Sequence, residues 1–575
     1  MFKLKNYLKP YSVHIILGLF FKGLEVASEI VTPYLMTKII KIGINNADKP
    51  YIIKMTILLI VINSVAVLFA LIAQKLAAIA SKGVGKTIRK NMFTHINTLS
   101  HAELDKFDTT TLINRSVHDV SQIETAIGMT IRLITRAPIL LIGSIVMSLI
   151  IDPKLSIVFI IALPIIVLII FLIMKKTSPL FDQTKVKLDK VTSVTRDNLG
   201  GIRVVRAFNK QPNETARFVA SNKELTDINV KTIKISSALQ PLLFLLINFA
   251  VVAIMYFGGI QVNIGDVDQA DLIAFINYFS QISMALVIVA RIIVAYTRTN
   301  SSIKRVAEVF NTKNTIFSPE NPKHIDQLNM PNTVEFKNVY FSYNNSKNAV
   351  ENLNLKVESG QVIGIIGGTG SGKSSIVNLI PRFYDATKGE VLINGENVKK
   401  YDLKELRRFV SVVPQNNVLF EGTLEENLRW RNEFATEDDL IFALKVAQAY
   451  EFVREKPDFL KTKVLRNGSN FSGGQKQRLC IARALVGGPR ILILDDSSSA
   501  LDFQTDFNLR KAIRTSLKDT TIFLVSQRAN TLKHADNIIV MDNGKVVDIA
   551  KHDVLLERCE VYKEIYNSQN KKGVK

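Results

Sequence analysis

Gly367-Gly368-Thr369-Gly370-Ser371-Gly372-Lys373-Ser374-Ser375 is the stretch whose residue types and spacing can do chemistry most directly. Residues without Cβ let consecutive backbone N–H groups turn inward around an anion. Lys373 has the reach for β- and γ-phosphates, and the Ser374 hydroxyl is a ligand for Mg²⁺. Such a loop needs a strand before it and a helix after it. Both are legible: 362–366 is an apolar run, and Ile376, Val377, Leu379 and Ile380 follow at helical spacing. The helix start contributes its positive dipole end.

Other residues with nucleotide chemistry lie on either side. Tyr343, upstream, can stack on adenine, and core packing is its bland alternative. In Val412-Val413-Pro414-Gln415, the Gln415 amide can ligate Mg²⁺ and sense a γ-phosphate. Phe471-Ser472-Gly473-Gly474-Gln475 opens a second helix suited to an anion. Ile491-Leu492-Ile493-Leu494-Asp495 is a buried strand ending in a carboxylate that can orient Mg²⁺. Asp496 follows it, then Ser499-Ala500-Leu501-Asp502. Phe523-Leu524-Val525-Ser526-Gln527 is an apolar strand with a polar residue at its carboxyl end, where α/β sites collect.

These residues need a parallel sheet wrapped by helices, and the second half of the chain reads that way. The first half does not. Hydrophobic residues make up 47% of the 575, while Lys and Arg number 73 against 51 acidic residues, a net +22. Apolar richness with a basic excess points to a membrane protein with basic cytoplasmic loops, and no nucleic-acid partner is expected. Two cysteines, Cys480 and Cys559, exclude a disulfide framework. The N-terminal segment reads as a short amphipathic entry helix and not as a cleavable signal.

Six apolar segments, 13–40, 51–78, 129–150, 155–174, 239–259 and 272–296, each have the length for a bilayer crossing. The long connections 81–128 and 175–238 are polar, helical and rich in Lys and Arg, whereas 260–271 carries Asp266, Asp268 and Asp271 without a basic residue. The positive-inside rule then places both long loops, the N-terminus and the C-terminal half in the cytoplasm. Lys22, Glu25 and Glu29 share one helical face of the first segment. Glu25 and Glu29 are candidates for a substrate path, with a structural ion pair as the alternative. Arg132 and Arg136 read as snorkelling side chains or bundle contacts near the cytoplasmic end of a span. Residues 311–332, rich in Asn, Pro, Ser and Thr, read as a linker between domains 1–310 and 333–575.

The phosphate loop, the Ser-Gly-Gly-Gln stretch and the Asp-terminated strand, in this order and behind six spans, resemble an ATP-binding-cassette exporter half-transporter. The resemblance covers the whole length. It implies a membrane α-helical domain with long cytoplasmic helical extensions, then an α/β P-loop nucleotide-binding domain. It implies ATP and Mg²⁺, a multi-pass place in the plasma membrane, and a dimer that sandwiches two nucleotides between one chain's phosphate loop and the other's signature. In that scheme Asp502 and Ser472 to Gln475 contact nucleotide. The stretches 107–115 and 198–209 resemble places where exporter loops dock on the ATPase. The Lys-, Ile- and Asn-rich composition points to a bacterium.

Three departures qualify the resemblance. The family usually carries Glu as the base after the strand Asp; here it is Asp496, with a carboxylate about 1.5 Å retracted, a misplacement large enough to slow the reaction. The usual switch His is Gln527, a neutral amide. Before the signature, Val464-Leu465-Arg466-Asn467-Gly468 lacks the usual Gly-Glu pair. The expectation is the impaired-site subunit of a heterodimer resembling bacterial multidrug exporters, moving small amphipathic compounds. A homodimer, a lipid or peptide exporter and an ATP-gated or regulatory subunit are the alternatives.

Overall fold

The computed structural model describes residues 4–325, 331–343 and 347–570. The chain divides into two compact units, Met1–His95 with Thr109–Asn311, and Ile96–Asp108 with Thr312–Lys575.

The described residues of the first unit form helices joined by short turns. Among the described residues, five helices are long and apolar enough to cross a membrane: Lys49–Thr98, Thr109–Ile151, Ile157–Gly200, Gln211–Ile264 and Gln269–Val289. That is one fewer than the sequence analysis expects. The first segment does fold as a helix, Ser12–Lys38, of 27 residues. Its length suffices, but Lys22, Glu25 and Glu29 crowd its middle and keep it below the apolar standard of the others. The 50-residue helix Lys49–Thr98 is roughly 75 Å long, more than twice the hydrocarbon thickness, so it continues well beyond any bilayer. Wide π turns interrupt the helical path at Ile39–Ile44, Arg115–Asp119 and Thr130–Ile134.

Charged groups pin these helices together. Asp119, buried, accepts from Ser302 Oγ at 2.9 Å and Arg305 Nε at 2.8 Å. Glu124, also buried, pairs with Lys82 at 2.7 Å and Arg89 at 2.6 Å. A Cβ on Gly85 would stand 2.8 Å from the Glu124 carboxylate, so this glycine makes the room.

The second unit is built on a ten-stranded sheet. Its strands are β1 (Val334–Ser342), β2 (Asn348–Val357), β3 (Val362–Gly367), β4 (Lys388–Ile393), β5 (Glu396–Asn397), β6 (Val410–Val413), β9 (Ile491–Asp495), β10 (Thr521–Val525), β11 (Asn537–Asp542) and β12 (Lys545–Ala550). A separate two-stranded pair joins β7 (Gly422–Thr423) to β8 (Lys463–Val464). The order across the large sheet is β5-β4-β1-β2-β12-β11-β3-β10-β9-β6. Strands β11, β3, β10, β9 and β6 run parallel, and their side chains alternate between two buried layers. Leu492, Leu494, Ile522, Leu524, Ile538 and Val540 face one layer, while Ile491, Ile493, Phe523, Val525, Ile539 and Met541 face the other. A strand buried on both faces reads as a continuous apolar run, and the runs at 362–366, 491–495 and 523–525 are legible in the sequence for that reason. The first layer is closed by the helices Glu437–Val446, Gly473–Leu485 and Phe503–Ser516, the second by Lys373–Leu379.

The short segment Ile96–Asp108 belongs to this second unit. His101 stacks on Phe383 with ring centroids 4.5 Å apart, and Tyr384 donates to the Asp105 carboxylate at 2.6 Å. Glu103, only 1% exposed, accepts from Ser100 Oγ and from Thr315 Oγ1. Burial pushes its carboxyl upward, but the two hydroxyls outweigh that and hold it below its ordinary value. The docked segment thus lies slightly before the 107–115 stretch picked out from sequence.

Candidate functional site

Strand register brings the site together. Ile365 of β3 is level with Val525 of β10, Val525 with Asp495 of β9, and Leu494 with Val413 of β6. The phosphate loop, Gln527, Asp495 with Asp496, and Gln415 therefore all leave the sheet from the same edge. The carboxyl ends of parallel strands are where an α/β sheet collects polar groups, because the ladder stops and the loops begin.

The loop is shaped by its glycines. Gly370 and Gly372 have φ of 78° and 97°, and a Cβ on Gly372 would run into the Ala349 carbonyl. A Cβ on Gly367 would run into the Met541 carbonyl and stand 2.6 Å from Ser371 Oγ. Gly368 has open space where a Cβ would go, and Thr369 beside it is exposed. Lys373 is buried and folds back over the loop, its Nζ donating to the Gly367 and Gly368 carbonyls at 2.9 and 2.6 Å. Burial holds this ammonium below its ordinary pKa.

Ser374 Oγ donates to Asp495 Oδ1 at 3.1 Å. Two facing oxygen donors, one of them a carboxylate, are the hard ligands that Mg²⁺ takes when phosphate and water supply the rest. Among the described residues there is no cluster of three or more His, Cys, Asp or Glu for a metal, and a metal shared with phosphate needs none. Burial raises the Asp495 carboxyl above its ordinary value, the Ser374 hydroxyl opposes this, and the Asp496 charge adds to it. Asp496 is in the left-handed region, φ 47°, its N–H on the Val525 carbonyl at 3.0 Å. Asp tolerates that conformation better than most side chains. Burial raises the Asp496 carboxyl too, while a hydrogen bond from Gln415 pulls it down. Gln415 is thus brought against Asp496. Gln527 is exposed at the end of β10.

Tyr343 Oη lies 3.1 Å from Ser375 Oγ, and its ring meets Phe341 and Tyr384 edge-on at 4.7 and 5.2 Å. The signature stretch forms the N-terminus of Gly473–Leu485. Ser472 Oγ accepts from Gln475 N–H at 3.3 Å, and Gln475 Oε1 accepts from Ser472 N–H at 3.0 Å, a capping box. Gly474 sits in a close approach, since a Cβ there would stand 3.2 Å from the Ala500 carbonyl. Asp502 caps the helix Phe503–Ser516 by accepting from Thr505 N–H at 3.0 Å. In the segment before the signature, Asn467 adopts φ 56°.

Gln477 was not singled out by sequence reasoning. Fully buried, it donates to the Asp496 carbonyl at 3.5 Å and accepts from Ala500 N–H at 3.1 Å, tying the signature helix to the loop after β9. A polar residue on the buried side of an amphipathic helix was the available signal. In the first unit, Glu25 pairs with Lys22 at 2.6 Å and Glu29 with Arg136 at 2.9 Å. The two acids are therefore already matched by two bases. Arg132 Nε donates to the Gly128 carbonyl at 3.0 Å, within its own helix.

Residues 15–286 match the ABC transporter transmembrane region, and residues 350–499 match the ABC transporter family. An uncharacterized ABC transporter ATP-binding protein of Mycobacterium tuberculosis is 34% identical over 571 residues, 99% of this chain and 98% of that protein. The chain belongs to the ABC transporter family. A second such relative, from Bacillus subtilis, is 33% identical over 570 residues, covering 99% of this chain and 98% of its own length. A Bacillus subtilis protein named as a candidate multidrug export ATP-binding/permease protein is 29% identical over 576 residues, 98% of both chains. The fold is that of a bacterial Atm1-family ABC exporter solved with ATP bound, at TM-score 0.82 and 24% identity, over 98% of this chain and 99% of that one. This ABC transporter is an ATPase coupled to membrane transport, and its ATPase domain uses ATP with Mg²⁺.

Proposed function

We propose that this ABC transporter exports hydrophobic or amphipathic compounds as one half of a heterodimer, and that its own phosphate loop serves a slow, nucleotide-retaining site. The carrying observation is the pairing of Asp496 with Gln527 at the ends of adjacent strands beside Lys373 and Asp495. Lys373 and the loop amides would hold the phosphates, Ser374, Gln415 and Asp495 the Mg²⁺, and Tyr343 the adenine. The metal, when bound, would neutralise charge on the transferred phosphoryl group. Asp496 would polarise the attacking water from a retracted position, and Gln527 would hydrogen-bond the γ-phosphate without lending it charge. Ser472 to Gln475 and Asp502, on the exposed side of the domain, would complete the hydrolysing site of a second chain.

In this reading, all six predicted segments cross the plasma membrane, with the N-terminus and the ATPase domain in the cytoplasm. Long charged helices on the basic loops support that orientation. Glu25 and Glu29 would line the substrate path, where their pairing with Lys22 and Arg136 keeps the cluster electrically balanced until a substrate enters.

The test uses purified full-length chain, alone and with a co-expressed second half. Alone it should hydrolyse ATP far more slowly than a working exporter; exporter-like turnover by the lone chain would end the heterodimer reading. In the assembled pair, Asp496→Glu with Gln527→His should raise turnover at this chain's site roughly 10- to 100-fold. An unchanged rate would place the defect elsewhere. Uphill substrate movement in vesicles separates an exporter from an ATP-gated channel.

A further inference from the structure

The backbone around Gln527 is held at four successive points. Ser526 N–H donates to the Ile365 carbonyl of β3 at 3.1 Å, and Arg528 N–H donates to Ser526 Oγ at 3.0 Å. The other two contacts come from one distant side chain. Gln569 Nε2 donates to the Gln527 carbonyl at 2.7 Å, and Gln569 Oε1 accepts from Ala529 N–H at 2.9 Å.

Gln569 is carried by the helix Glu560–Asn570, whose first turns are well fixed. Tyr562 is fully buried and its hydroxyl lies 2.7 Å from His552 Nδ1. Tyr562, Tyr566 and Gln569 follow at helical spacing, so the buried ring and the amide share a face. Gln569 and Gln527 also line, with Asp496, Ser499 and Phe503, a cavity of about 660 Å³. A carboxamide is the side chain suited to this task, because it presents a donor and an acceptor side by side. Glu lacks the donor, and an aliphatic residue lacks both.

We infer that Gln569 is a positioning residue for ATP cleavage at this chain's phosphate loop, clamping the switch backbone so that the Gln527 side chain meets the γ-phosphate already oriented. The inference rests on the reading of Gln527 as a γ-phosphate contact. Donors fixed in place before the reaction lower the barrier because nothing has to reorganise as charge develops. A clamp on the backbone acts on the chemical step and leaves the phosphate loop, which binds the nucleotide, untouched.

The experiment uses the full-length transporter in lipid nanodiscs with any co-purifying second half retained. It is loaded with 8-azido-ATP labelled in the γ-phosphate, and loss of label from this chain is timed at several nucleotide concentrations. Gln569→Ala and Gln569→Glu should each slow cleavage roughly three- to tenfold, with half-saturation within about twofold of wild type. Ser568→Ala, whose hydroxyl donates to the Ile565 carbonyl of its own helix, should match wild type. The double variant Gln527→Ala with Gln569→Ala should be no slower than Gln527→Ala alone, since one residue acts through the other. Wild-type cleavage in both Gln569 variants overturns the clamp, as does a fall in cleavage matched by lost nucleotide binding. If Gln527→Ala itself cleaves at the wild-type rate, the reading of Gln527 fails and the clamp with it. If Gln527→Ala is slow and Gln569→Ala is not, the clamp alone fails.

Discussion

The two regions of this ATPase domain proposed to face nucleotide are built in opposite ways. Around the phosphate loop the chemistry is buried and internally paired: Lys373 and Asp495 are each 8% exposed, and Ser374 already meets Asp495. At the signature, Ser472 and Gly473 are exposed, and the Ser472 and Gln475 side chains bond each other's backbone N–H in the capping box of their own helix. The first region is finished by its own strands. The second is an exposed helix N-terminus, which under the proposed function would meet an anion carried by a second chain.

That contrast can be attacked directly. The largest effect belongs to Lys373→Ala, which should cut photolabelling of this chain by 8-azido-ATP on the order of 100-fold while the other half of the pair keeps its label. Equal loss from both chains would mean that the phosphate-loop region is not self-contained. Next comes Ser472→Ala. It removes a helix cap, at a cost of about 1 kcal/mol read as a lower Tm, and should lower turnover of the assembled pair roughly tenfold. This chain's own nucleotide labelling should not change; if it falls in step, the signature serves its own chain. The smallest effect is a pH displacement. Asp496 must be ionised to act on water, so activity at its site falls as pH drops through its pKa. Gln415 pulls that pKa down against burial. Gln415→Ala should therefore move the acid limb of the cleavage-rate profile to higher pH, and a limb that stays put would detach Gln415 from Asp496.

The parts legible in the sequence were those whose meaning is local. Glycine spacing, a Lys-Ser pair and a strand ending in Asp495 are read within a dozen residues, because a loop conformation is fixed by its own dihedrals. The first segment was legible as a helix and is expected from its length to cross a membrane, yet Lys22, Glu25 and Glu29 keep it out of the five helices apolar enough to do so, and their partners are not legible from sequence. Arg136, which answers for Glu29, is 107 positions away. Gln477 and Gln569 were missed for the same reason. Each satisfies backbone groups on a distant loop; the local sequence marks Gln477 only as a polar residue on an apolar helix face and does not say which loop it meets. The segment Ile96–Asp108 was assigned to the first half by chain order, whereas burial of Glu103 and the stacking of His101 on Phe383 group it with the sheet.

The strand order also has a bearing on how the domain is made. β10 lies between β3 and β9, and β11 and β12 fill the space between β3 and β2. As the chain leaves the ribosome, the phosphate loop emerges first and the Asp495 strand much later, with a gap between them. Neither can be brought level with the other until Thr521–Val525 slides into place. A nascent or truncated chain ending before that strand has every phosphate-binding glycine and no aligned metal ligand. Alignment of the Asp495 carboxylate with the phosphate loop is therefore a property of the completed sheet, and no stretch of chain that stops before Thr521–Val525 can have it.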